Sequence, residues 1–104
     1  MSTKTFLGIV ERTKSWDQAT PAHLQQGFAG HAEFMHGLEA EGFIVFAGLL
    51  QDTSEVVFIF HATDAQQVRE RLSQDPWQRD GRARLVRVEE IHIRTGAPQS
   101  QKGA

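Results

Sequence analysis

The sequence predicts one α+β domain with the element order β-α-β-β-α-β. Three observations lead there. "FIVFAGLL" (43–50) and "EVVFIFHA" (55–62) are apolar strand segments separated only by the turn "QDTS". A segment with helical spacing lies on either side of that pair. A β-branched, strand-like stretch lies near each end of the chain, "KTFLGIVE" (4–11) and "ARLVRVEEIHIRT" (83–95).

Each element follows in order. Residues 12–20, "RTKSWDQAT", read as a loop. Thr20 and Pro21 then suit an N-cap and a first-turn proline. The helix they open is expected to run to Glu41, with Gly42 at the left-handed C′ position. Gly27, Gly30 and Gly37 argue against an early start, since each costs about 1 kcal/mol relative to alanine inside a helix. The alternatives are a start nearer Phe28, or glycines lining a side where another backbone comes close. Both middle strands are apolar on both faces, as strands covered on both sides are. Thr63 or Asp64 caps a second helix with Ala65, Val68 and Leu72 inward. It must stop near Asp75, because a residue before proline is pushed out of the helical region. "RDGR" (79–82) is a turn before the last strand, and "GAPQSQKGA" (96–104) is expected to be a frayed polar tail.

This order is that of a ferredoxin-like fold, a four-stranded antiparallel sheet with two helices on one face. Two helices cover one face only. The other apolar face therefore calls for a second copy of the chain, and a homodimer is expected.

Composition narrows the function. At 104 residues the chain is one domain, and 11 basic against 13 acidic residues give a net charge of −2. No basic stripe marks a nucleic-acid partner. The longest apolar run, eight residues, is far short of a membrane span. There is no cysteine, so neither a disulfide framework nor a thiolate site is available. "MSTKTFLGIV" lacks the long apolar segment of a signal peptide, and a cytoplasmic location is expected.

One histidine stands out. Leu24, Phe28, His31, Met35 and Leu38 are spaced 4, 3, 4 and 3 apart, one face of a helix, and His31 is its polar member. The plainer reading is a core histidine satisfied by a backbone carbonyl. Asp75, in "SQDPWQRDG", is expected at the C-terminal end of the second helix, where a carboxylate opposes the helix dipole and calls for a donor. Its plainer reading is a helix-stop aspartate before proline. Both helices share one face of the sheet, so the imidazole and the carboxylate can meet as an acid–base pair. His23, His36, His61 and His92 show no metal-ligand spacing, and no zinc site is expected. The arginines at 79, 82, 84 and 87 can attract an anion, or simply solvate a strand edge.

"HAEFMHGLEAEGFIVFAGLL", followed after a short helix by "DPWQRDG", resembles the YciI-like (YCII-related) proteins over residues 4–95. Their pattern is a helix histidine, a strand with a "G…aGpl" signature, and a late Asp-Pro-aromatic with a following glycine. The resemblance implies a dimeric α+β barrel and a His–Asp dyad, here His31 and Asp75. It places Gly48, Pro76, Trp77 and Gly81 at pocket-shaping positions. Leu49 stands where the family usually has proline, which bears on pocket shape and so on substrate. One branch of the family eliminates chloride from a chlorinated hydroxyquinol, and superfamily relatives isomerise muconolactones. The implied activity is proton transfer on a small ring-like or acidic molecule, of lyase or isomerase type, without a cofactor. The alternatives are a non-catalytic binding or accessory module in the same cleft and, from fold alone, a cofactor-free monooxygenase.

Overall fold

The structure is a computed structural model and describes residues 2–96. The expected tail lies outside the described residues except for Gly96. Four strands, β1 (Lys4–Arg12), β2 (Ile44–Leu49), β3 (Glu55–Ala62) and β4 (Ala83–Glu90), form one antiparallel sheet in the order β2-β3-β1-β4. Three helices accompany it: α1 (Phe28–Ala40), α2 (Ala65–Leu72) and the single turn α3 (Pro76–Arg79). This α+β arrangement is compatible with a ferredoxin-like fold. None of these helices is long and apolar enough to cross a membrane.

The pleat divides the sheet residues cleanly. Phe6, Val10, Phe58, Phe60 and Val88 point to one face and pack with Leu38, Val68, Leu72 and Trp77 from the helices. Phe60 is fully buried between Phe43 and Phe58. Gly8 sits on the same face, where an added Cβ would lie 2.7 Å from Phe60 Cε2. The opposite face carries Leu7, Ile9, Val57 and Ile59, paired as Leu7–Ile59 and Ile9–Val57, with Phe46 beside Ile59. Ile59 is 7% exposed yet lies outside the core cluster, so its neighbours on this second face are what bury it. On β4 that face is charged. Arg87 pairs with Glu89 and Arg84 with Glu11, both at 3.3 Å.

Several expectations are corrected. The first helix starts at Phe28, not at Pro21. Gly27 has φ 83°, a left-handed turn that breaks the chain direction, and Ala22–Leu24 form only a 3-10 turn. Leu24 therefore leaves the apolar stripe and is 64% exposed. Thr20 does not cap a helix; its hydroxyl donates to Asp17 Oδ2 at 2.6 Å. The strand expected at 43–50 spans Ile44–Leu49 and lies at a sheet edge, and within the single chain Phe46, Leu49 and Leu50 are exposed. The last strand ends at Glu90 rather than at Thr95, and α3 lies at Pro76–Arg79, where no helix is expected. Asp64 does cap α2, its carboxylate accepting from Gln67 N at 2.8 Å.

Candidate active site

The start of α1 and the chain around α3 meet because a glycine lets them. A Cβ on Gly30 would stand 3.3 Å from the Pro76 ring, a contact only a small shift accommodates. With hydrogen there, α3 packs against the first turn of α1, and Asp75 and Trp77 come up beside His31. His31 Nδ1 and Asp75 Oδ1 are 2.8 Å apart. Asp75 is 2% exposed, and the His31 side chain 19%.

Asp75 is placed by a different end of a helix from the one its sequence suggests. It does not close α2, which ends at Leu72, but N-caps α3, its Oδ1 accepting from Trp77 N at 3.2 Å. The carboxylate thus sits at donor groups instead of facing helix carbonyls. Oδ1 accepts the Trp77 N–H, and since an ionised carboxylate only accepts, the 2.8 Å contact pairs the ionised form of Asp75 with a proton on His31 Nδ1. In the neutral form of that ring Nε2 carries the lone pair, and it has no protein partner among the described residues.

Trp77 fixes the imidazole plane. The two rings stack at 3.7 Å between centres, 14° from parallel. The indole N–H donates to the Gln26 carbonyl at 2.9 Å, and Trp16 meets the indole edge-on at 4.9 Å. Gly27 lies against the same indole, its Cβ position 3.5 Å from Nε1. The loop behind Trp16 is held by the buried amide of Gln25, which donates to the carbonyls of Asp17 (2.7 Å) and Thr20 (2.8 Å). The hydroxyl of Thr20 and the Ala19 N–H hold the exposed Asp17 carboxyl below its ordinary range.

His31, Asp75 and Trp77 line a cavity of about 260 Å³ whose other walls are mainly apolar, with Val10, Phe28 and Phe58 among them. Gly48 lines it too. Pro76 and Gly81 do not. Pro76 packs on α1, and Gly81, at φ 83°, shapes the turn into β4 and accepts from the Thr13 hydroxyl. Arg79, Arg82, Arg84 and Arg87 stay off this cavity, each engaged with a side chain elsewhere. Two polar residues that sequence reasoning missed do line it, Arg12 and Gln78. Arg12 was hidden at the end of a strand. For Gln78, the helical turn of α3 that carries it was itself unforeseen. Among the described residues no group of three His, Asp or Glu side chains is placed to hold a metal ion.

No family model matches the chain, and no curated protein matches it.

Proposed function

We propose that this chain is a YciI-like protein of the dimeric α+β barrel type, and that it moves a proton on a small molecule held in the cavity. The reading rests chiefly on one observation, the imidazole and buried carboxylate 2.8 Å apart in a cavity wall. In this reading His31 Nε2 is the general base. Asp75 accepts from Nδ1–H, holds the tautomer and stabilises the imidazolium that forms. Trp77 keeps the ring in plane and presents a π face to that imidazolium. The mainly apolar walls lower the competition from water. The reaction class is lyase or isomerase, carried by side chains alone.

The test is deuterium uptake. Lactones and hydroxylated aromatics with an acidic C–H are incubated with the protein in D₂O and followed by NMR. The wild type should catalyse exchange at one carbon and His31→Gln should not. Gln suits this purpose because its amide can still donate to Asp75. Binding without exchange by any candidate favours the non-catalytic module instead.

We also infer a homodimer through the second sheet face. Leu7, Ile9, Val57, Ile59 and Phe46 make it an apolar field with charges at its β4 side, a pattern suited to the core of an interface with a polar border. Two copies face to face give each sheet the cover its own helices do not supply.

A further inference from the structure

The plane of the His31 imidazole depends on residues that do not reach the cavity. The bond to Asp75 holds one atom of the ring, Nδ1, and by itself leaves the ring free to tip about that contact. The stack on Trp77 removes this freedom. The indole is in turn held by its N–H bond to the Gln26 carbonyl and by the edge of Trp16. Both supports sit in the stretch between β1 and α1, where no sheet ladder fixes the backbone. Side chains must fix it instead.

Gln25 and Arg82 do so. Gln25 is buried, and both ends of its amide are used twice. Nε2 donates to the carbonyls of Asp17 and Thr20, while Oε1 accepts from Asp17 N at 3.2 Å and from Arg82 Nη1 at 3.3 Å. With two carbonyls on one side and two donors on the other, the amide has one orientation only. Arg82 reaches in from the turn before β4. Asp80 holds its Nε at 3.0 Å, and the rest of the fork spans the Ser15 carbonyl (3.3 Å), Gln25 Oε1 and Gln26 Oε1 (3.2 Å). One guanidinium thus ties the residue before Trp16 to the residue whose carbonyl receives the Trp77 indole. Neither Gln25 nor Arg82 lines the cavity.

We propose that Gln25 and Arg82 are positioning residues for His31, acting through Gln26, Trp16 and Trp77 to set the plane of its ring. The catalytic use of this clamp rests on the proton-transfer reading, because a base works only when its lone pair is aimed at the proton it takes. The clamp itself rests on the hydrogen bonds and the two ring contacts. Arginine suits the part better than lysine. A planar fork with fixed donor directions meets several acceptors at once, whereas an ammonium on a flexible stem is a point charge. Without the fork, the Gln26 carbonyl is free to turn away from the indole, and the stack that orients His31 loosens.

Proton NMR reads the stack. A ring proton held over an indole face is shifted upfield, so the Cδ2–H and Cε1–H resonances of His31, assigned by their absence from His31→Gln, report it. Arg82→Leu should lose at least half of the upfield displacement that separates the folded wild type from its urea-unfolded chain. Its Trp77 indole N–H should exchange with water at least tenfold faster. Arg82→Lys, which keeps a cation beside Asp80 without the fork, should move both readings in the same direction. Arg71→Ala is the control. It removes a pair with Glu41 at the far end of α1 and should leave both readings at wild-type values even where it lowers the melting temperature. An Arg82→Leu protein that is folded by circular dichroism and keeps wild-type readings overturns the proposal; if that variant does not fold, wild-type readings in Arg82→Lys overturn it. Equal losses in Arg71→Ala overturn it as well, since general loosening would then suffice. Deuterium uptake tests the proton-transfer reading separately, so its failure leaves these NMR outcomes, and the clamp, untouched.

Discussion

Replacing Asp75 with alanine removes two bonds at once. The cap bond to Trp77 N is worth about 1 kcal/mol. The hydrogen bond from His31, made to a charged acceptor, adds about 1.5–3 kcal/mol. The two share one oxygen, so they do not simply add, and a loss of about 3 kcal/mol is expected. For a domain of this size that lowers the melting temperature by about 12–24 °C. Asp75→Asn is the control. Asparagine caps as well as aspartate and can still accept from both donors, so it gives up only the charge-assisted part, about 1 kcal/mol. Thermal denaturation followed by circular dichroism reads both variants. The Trp77 indole fluorescence reports the stack with His31 in the same samples. An Asp75→Ala protein melting within about 4 °C of wild type would mean that the carboxylate is not held by His31 and Trp77 as described.

Four further outcomes are expected. Gly8→Ala drives a methyl group to 2.7 Å from the buried Phe60 ring and should cost about 1–3 kcal/mol, measured by urea denaturation. Leu38→Ala should cost about 2–5 kcal/mol, whereas Leu24→Ala should stay within about 0.5 kcal/mol, because Leu24 lies outside the helix and is exposed. Ile59→Asp should split the dimer in sedimentation equilibrium and lower stability together with it; a wild type that sediments as a monomer at micromolar concentration contradicts the dimer. The Asp17 carboxyl is held below its ordinary 3.8, so its stabilising contacts are present above that pH and are lost as pH falls through the lowered value. The difference in melting temperature between wild type and Asp17→Asn should therefore shrink as acid is added below pH 3.8.

The sheet was legible because apolar runs and turn residues mark strands locally. β3 runs over Glu55–Ala62, the span its sequence suggests. What was not legible depended on long-range geometry. The apolar run of β2 gave no sign that it lies at a sheet edge, because edge position is a property of strand order rather than of composition. Helical spacing carried Leu24 into a stripe that Gly27 interrupts; of the three glycines only Gly27 marks the later start, since Gly30 and Gly37 lie inside α1. The proximity of His31 and Asp75 followed from two helices sharing a face. The means of placing Asp75 did not, because a four-residue helix after "SQD" leaves no periodicity to read. Pro76 turned out to pack on α1 for the same reason that Gly30 is small. Phe58 also points into the core, so charge probes of the second sheet face belong at Ile59. Arg12 and Gln78, which line the cavity, carry no motif at all.

The tautomer of His31 tests the central claim most directly. Long-range proton–nitrogen correlation spectra of the imidazole, recorded at a pH where the ring is neutral, distinguish a protonated nitrogen from one bearing a lone pair. With Asp75 accepting from Nδ1–H, the wild-type spectrum should show Nδ1 protonated and Nε2 bearing the lone pair, and Asp75→Ala should lose that preference. A wild-type ring protonated on Nε2 would contradict the account, since the nitrogen assigned as the base would then already hold its proton.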